Sequence, residues 1–238
     1  MTFINYAHRG ASAYAPENTM RAFRLGVELG ANGIETDIRR TKDGVPVLYH
    51  DDDLFRLTGV EKRIADLTYG ELSGIPIQSP DRREAGFVPT LKEFLGFAKE
   101  HPVFLALELK DDGLESDVLH EVSVFGLKDR SVITSFQPER LRNVKNTDPA
   151  QQVGLLTDAI TDDTIRTLKA IGAEQICPRA SLLSPELVRS LHAEGFSVRA
   201  WGVRDEEIMK KAYDCGVDGM TVNFPDKLLA YIRERDNS

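Results

Sequence analysis

The chain has 238 residues, close to the ~250 typical of one (β/α)8 barrel and long enough to bury a core without disulfide or metal staples. A formal net charge of −8 repels nucleic acid and anionic membrane surfaces, so neither is expected as a partner through bulk charge. It also repels anionic substrates, which would need a local positive centre, either a bound cation or a basic pocket.

The first residues, Met1 to Tyr6, carry no basic stretch and no apolar core of a secretory leader. No apolar run approaches the ~18 residues of a membrane span, so stable membrane insertion is not expected and a cytoplasmic location is. Phe3 to Ala7 reads as a first strand and Thr19 to Leu29 as an amphipathic helix stopping near Gly30. Gly33 to Ile38 is a second strand. A Lys42-Asp43-Gly44 turn then leads to Val45–Tyr49, which can fold back as a hairpin. From Asp51 to Pro89 the pattern breaks around Pro76, Pro80 and the charged stretch Asp81 to Glu84, predicting an excursion that is partly loop. Leu91 to Lys99 is helical.

Regular alternation follows. Strands are predicted at Val103–Leu109, Val132–Ser135, Gln152–Leu156, Glu174–Cys177, Ser197–Trp201 and Asp218–Val222. The helices after them are Leu114–Val124, Pro138–Val144, Asp162–Ile171, Pro185–Glu194, Glu206–Cys215 and Pro225–Arg233. Without the hairpin strand this makes eight β-then-α units, which imply a parallel sheet with right-handed crossovers. The fold class is therefore α/β, a (β/α)8 TIM barrel in one domain over residues 1–238, with a small insertion at about 51–89 after the second barrel strand. An open doubly wound sheet is the alternative, weakened because no Gly-x-Gly-x-x-Gly follows a strand. Cys177 and Cys215 lack metal or redox spacing and read as two reduced, buried thiols.

Barrel chemistry sits at the C-terminal ends of the strands, and ionisable residues gather there. His8-Arg9 ends the first strand, Glu35 and Asp37 the second, and Glu108 and Lys110 the next barrel strand, while His50-Asp51 follows the hairpin strand. Ser135 and Trp201 end two later strands. Alternation of side chains sends Glu35 with Asp37, and Glu108 with Lys110, into the mouth, and leaves Thr36, Leu107 and Leu109 toward the helices. Three converging carboxylates require compensation. Spacing alone leaves two solutions open: a hard divalent cation, Mg²⁺ or Ca²⁺, or ion pairs with Arg9, Arg39 or Lys110. His8 and His50 flank the carboxylates and have the pKa range for proton transfer. His101, His120 and His192 read as solvated.

These residues, as Ala7-His8-Arg9-Gly10, Pro16-Glu17-Asn18-Thr19, Glu35-x-Asp37, His50-Asp51 and Glu108-Leu109-Lys110, resemble the glycerophosphodiester phosphodiesterase family. The resemblance runs in order through Gly216-Val217-Asp218-Gly219 to the last helix. It implies a barrel with an insertion after the His-Asp motif, one divalent cation (Mg²⁺ or Ca²⁺) on Glu35, Asp37 and Glu108, and an acid–base pair of His8 and His50. Arg9 and Lys110 would hold the phosphate, with Trp201 on the substrate side. Glu17 and Asn18 read either as substrate-side residues or as a plain helix start, Asn18 being a good N-cap. The implied reaction releases sn-glycerol 3-phosphate and an alcohol from a small soluble substrate, by attack of water or of the glycerol 2-hydroxyl. Related phospholipase D-like action on lysophospholipids, as in the sphingomyelinase D group, would need an apolar groove. A silent binding barrel would lack a histidine or a carboxylate, and none is missing. Three places depart from the family pattern: Trp201-Gly202-Val203-Arg204, Val222-Asn223-Phe224-Pro225 and Ser135-Phe136-Gln137. They are expected to line the alcohol side and bear on substrate preference.

Overall fold

A computed structural model describes residues 3–237; Met1, Thr2 and Ser238 lie outside it, including the start of the segment read as carrying no leader. Strands β1 (Ile4–His8), β2 (Gly33–Arg40) and β3 (Pro46–Leu48) come first, with helix α1 (Met20–Glu28) between β1 and β2. The excursion holds α2 (Phe55–Thr58), a 3-10 turn at Ile64–Asp66, α3 (Tyr69–Leu72), β4 (Ile77–Gln78) and β5 (Ala85–Gly86). Helix α4 (Leu91–Lys99) leads to β6 (Phe104–Leu109), α5 (Glu115–Phe125), β7 (Ser131–Ser135), α6 (Pro138–Thr147) and β8 (Gln152–Thr157). The chain closes with α7 (Asp162–Ile171), β9 (Gln175–Pro178), α8 (Pro185–Ala193), β10 (Ser197–Val203), α9 (Glu206–Asp214), β11 (Gly219–Val222) and α10 (Pro225–Asp236).

Parallel pairing runs β1, β11, β10, β9, β8, β7, β6, β2 and back from β2 to β1, closing an eight-stranded barrel. The fold class read from the β-then-α repeat is thus the one observed. β3 pairs antiparallel with the far end of β2, Ile38 opposite Leu48, as the turn at Lys42–Gly44 predicts. The helices start where capping chemistry allows. Thr19 Oγ1 accepts from the Ala22 amide, and Thr90 with Glu93 forms a reciprocal box at α4. Pro185 and Pro225 occupy first-turn positions, where a missing N–H is harmless.

Strand alternation divides the buried residues into two sets. Leu105, Leu107 and Leu109 of β6 face outward into the main apolar layer between strands and helices. Truncating one such leucine to alanine costs about 2–5 kcal/mol. Inward, apolar packing is confined to a small cluster around Tyr6, Ala106 and Val132. Above it lies Arg199, 1% exposed, whose Nε donates to Gln175 Oε1 (3.1 Å) and Nη1 to Thr221 Oγ1 (2.7 Å). The upper barrel interior is polar, and that layer is the floor of the mouth.

The excursion is more ordered than its proline-rich sequence suggests. Val47, Tyr49, Leu54, Ile64, Leu72 and Ile77 make a separate apolar cluster that packs it against β3. Its apolar residues are too scattered for any one period, so the lobe forms by tertiary packing rather than by local propensity. Both cysteines are free and buried. Among the described residues no helix is long and apolar enough to cross a membrane.

Candidate active site

Sheet register assembles the centre. β1–β2 pairing sets His8 beside Glu35, and β2–β6 pairing sets Asp37 beside Glu108. One oxygen from each of Glu35, Asp37 and Glu108 lies within 4.8 Å of the others, and all three residues are buried. Arg9 Nε stands 3.1 Å from Asp37 Oδ2; Lys110 Nζ is 2.8 Å from Glu108 Oε1 and 3.6 Å from Asp37 Oδ1. Of the three cations that could have paired with this cluster, Arg39 does not. It is drawn off by Asp111 (2.6 Å) and the His50 carbonyl (2.9 Å).

The carboxylates share their charge unequally. Burial, then Asp37 and Glu108, push Glu35 up to about 8, against the pull of Arg9 and Arg199. Glu108 is raised by burial and Asp37. Burial also opposes ionisation of Asp37, but Arg9, Lys110, His50 and the Asn18 amide together hold it well below the usual carboxylate range. Asp37 Oδ1 is nonetheless buried without a hydrogen bond. An oxygen with no hydrogen bond, only a longer ion pair to Lys110, beside two more carboxylates in an all-oxygen donor set of this span fits a hard divalent cation with bonds of about 2.0–2.6 Å.

Both histidines are fixed at Nδ1. His8 Nδ1 lies 2.6 Å from Asn223 Oδ1, and His50 Nδ1 lies 2.6 Å from Asp51 Oδ1. Each partner offers an accepting oxygen, so each imidazole carries its hydrogen on Nδ1 and leaves Nε2 free. His8 Nε2 looks across 3.8 Å to Glu35. Burial, then Arg9, hold His8 below the ordinary imidazole value. Burial, and Arg9 and Lys110 nearby, do the same for His50 despite Asp37 and Asp51.

A charge chain runs from Arg9 to His50. Arg9 Nη1 donates to Glu17 (2.8 Å), Arg56 donates to Glu17 (2.7 and 3.0 Å), and Arg56 Nε donates to Asp51 (2.5 Å). Glu17 is thus not a helix start; it bridges Arg9 and the excursion. The helix-start reading of Asn18 is overturned. Thr19 takes the cap, while Asn18, at φ 54°, donates to Asp37 Oδ2 (3.0 Å) and accepts from the Thr36 hydroxyl (2.7 Å). Gly10, at φ +79°, makes this tight loop possible, since a Cβ there would lie 2.4 Å from the Ala22 backbone.

The mouth is a cavity of about 250 Å³ lined by His8, Arg9, Glu35, His50, Glu108, Arg199, Trp201 and Asn223 among others, and Lys110 opens beside it on the His50 side. Ser135, expected at the mouth, is instead buried, its hydroxyl donating to the Leu109 carbonyl (3.2 Å); its neighbour Phe136 lines the cavity. Sequence reasoning put Asn223 on the alcohol side, whereas it holds His8, and gave no role to Asp51, Arg56 or Arg199. Asp51 left a local trace beside His50, and Arg199 one as a charge at the same strand parity as Trp201.

Residues 8–227 match the model of the Glycerophosphoryl diester phosphodiesterase family. The glycerophosphodiester phosphodiesterase of Bacillus altitudinis is 33% identical over 96% of this chain and 97% of its own length. That of Caldanaerobacter subterraneus subsp. tengcongensis is 30% identical over 98% of this chain and 99% of its own. Among solved structures, an Oleispira antarctica phosphodiesterase in complex with the product sn-glycerol-3-phosphate superposes with a TM-score of 0.83, at 28% identity and 96% coverage of both chains.

Proposed function

From the premise that the chain belongs to the glycerophosphoryl diester phosphodiesterase family, and so is a phosphoric diester hydrolase, we propose that it cleaves glycerophosphodiesters to sn-glycerol 3-phosphate and an alcohol. The observation that carries the site assignment is the buried carboxylate trio, with an Asp37 oxygen that accepts no hydrogen bond, set between two histidines of free Nε2.

Glu35, Asp37 and Glu108 hold one divalent cation, Mg²⁺ or Ca²⁺, in this proposal. When bound, it would supply Lewis-acid stabilisation of the charge that builds on the phosphoryl oxygens. Arg9 and Lys110, already drawn to the carboxylates, take part of the phosphate's charge. They supply the local positive centre that a chain of net charge −8 needs to capture an anion. His8 and His50 divide the two proton transfers. One removes the proton from the attacking hydroxyl, of water or of the glycerol 2-position, as the new P–O bond forms. The other protonates the alcohol oxygen as its P–O bond breaks. On the second route water then opens the cyclic phosphate, with the two histidines exchanging roles, to give glycerol 3-phosphate. Asn223 and Asp51 keep each Nε2 aimed at the mouth. The related lysophospholipid reading needs an apolar groove at this place, whereas the cavity wall carries Arg9, Arg179, Arg199 and Arg204.

The test is release of glycerol 3-phosphate from a panel of glycerophosphodiesters and lysophospholipid micelles, with and without chelator. Chelator-sensitive release from the soluble diesters is expected, and His8→Ala or His50→Ala should abolish most of it while the cation concentration giving half-maximal binding stays near normal. Absence of chelator-sensitive release from every soluble diester would overturn the proposal.

A further inference from the structure

The side of the mouth away from the carboxylates is built by the ends of β7 to β10. Trp201 is its central surface, with its indole N–H donating to the Thr157 carbonyl (3.3 Å) and the Phe136 ring set edge-on at 5.0 Å. The Arg179 guanidinium lies over the Trp201 ring, 4.2 Å from its centre. Asp158, outside the cavity lining, holds Arg179 there through its Nε (2.5 Å). Gly202, at φ +72°, lets β10 step out of register between Ala200 and Val203. It also leaves open the space beside Arg179, whose Cγ would stand 3.5 Å from a Cβ. Just past that step comes Arg204, an exposed residue of the cavity lining with no hydrogen bond or ion pair among the described residues. The carboxylates lining the cavity, Glu35 and Glu108, both stand on the opposite, cation-facing side.

We infer that this wall selects glycerophosphodiesters whose alcohol itself carries an anionic group, a second phosphate in particular, and disfavours cationic alcohols such as choline. This deepens the phosphodiesterase proposal and rests on it. A quaternary ammonium is recognised by free aromatic faces. Here Arg179 occupies the Trp201 face, and the Arg204 charge repels a second cation. A phosphate or carboxylate oxygen pair, by contrast, matches the planar fork of a guanidinium, and Arg204 has none of its donors committed. Arg179 is preorganised by Asp158 and Trp201, so little further ordering is needed when an anion arrives.

The test compares kcat/KM for four soluble substrates on the full chain. These are glycerophosphocholine, glycerophosphoglycerol, whose alcohol is neutral, glycerophosphoglycerate as the carboxylate arm, and bis(glycerophospho)glycerol as the phosphate arm. Bis(glycerophospho)glycerol is expected to exceed glycerophosphocholine by roughly tenfold or more, the size of one charge-assisted hydrogen bond, and the ratio should shrink with added salt. Arg204→Ala should bring that ratio toward one, and Arg204→Glu should invert it. Because both substrates are read on the same preparation, a partly misfolded variant does not disturb the ratio. Glycerophosphoglycerate separates a general anion preference from one for phosphate. If glycerophosphocholine matches or beats bis(glycerophospho)glycerol, or if Arg204→Glu leaves the ratio unmoved, this inference falls and the phosphodiesterase proposal stands. If none of the four is hydrolysed, both fall.

Discussion

Asn18 offers the sharpest test of how the cation site is held. Its amide donates to Asp37 Oδ2 at 3.0 Å and its carbonyl takes the Thr36 hydroxyl at 2.7 Å, from a backbone at φ 54°. Asn18→Ala removes one hydrogen bond to a buried carboxylate, worth about 1.5–3 kcal/mol, and leaves the Thr36 hydroxyl unpaired. If Asp37 carries the cation, loss of the tether frees its carboxylate to rotate. The cation concentration for half-maximal activity should then rise about 10–100-fold, as for other supporting contacts of metal ligands, with kcat at saturation much less affected. Alanine also meets a left-handed backbone that asparagine tolerates, costing about 1–2 kcal/mol more. Asn18→Gly separates the two effects: it relieves the backbone but not the lost tether. Glycine should therefore match alanine in the cation midpoint and exceed it in urea-unfolding stability. The assay is glycerol 3-phosphate release titrated with Mg²⁺ or Ca²⁺, beside equilibrium unfolding. A cation midpoint within threefold of wild type for both variants would refute the tether.

Asp51→Ala should lower kcat by on the order of 100-fold, because it removes the acceptor that fixes the His50 hydrogen on Nδ1; steady-state kinetics with a soluble diester checks it. Burial resists ionisation of Glu17, but Arg56 and Arg9 keep its carboxyl below the ordinary value of 4.5. A carboxylate so depressed stabilises the fold fully above its unfolded value and loses that contribution as pH falls through its folded one. The gap in unfolding free energy between wild type and Glu17→Gln should thus be flat near neutrality and narrow below pH 4.5, measured by urea unfolding at stepped pH. A gap that widened in acid would contradict the pairing. Gly10→Ala combines a left-handed φ with a Cβ 2.4 Å from the Ala22 backbone. It should cost about 1–3 kcal/mol from backbone strain before the clash is added, visible as a lowered Tm together with lost activity.

What could be read from the sequence was whatever depends on short-range periodicity. Glu35 and Asp37, two apart on one strand, must share a face, and so must Glu108 and Lys110. Barrel closure then adds only the register that sets Asp37 beside Glu108. A strand-end position alone is a weaker guide. It sent Ser135 to the mouth, yet that side chain turns back to the Leu109 carbonyl. Asn18 was misread for a different reason. Ser, Thr, Asn and Asp are near-equal as helix caps, so Asn18-Thr19 offers two candidates. What decides between them is that only asparagine tolerates φ 54° and still reaches a carboxylate on the next strand.

The second half of the site was hidden by chain distance. Asn223 fixes His8 from 215 residues away, and Arg179 meets Trp201 across β9 and β10, so no window of sequence contains either pair. The departures at Gly202, Arg204 and Asn223 could be seen as departures, but not as parts with different duties. The proposed mechanism gives them different duties. Asn223 holds His8, the proposed proton carrier, so changes there should act on turnover with every substrate. Gly202 and Arg204 lie on the wall proposed to meet the alcohol, so changes there should alter one substrate relative to another. A cation site must meet fixed bond lengths, which ties its ligands to rigid strands and leaves a compact local pattern. Alcohol recognition needs only charge of the right sign at the right rim, which several strand ends can supply. Its code is consequently spread over the wall from β7 to β10.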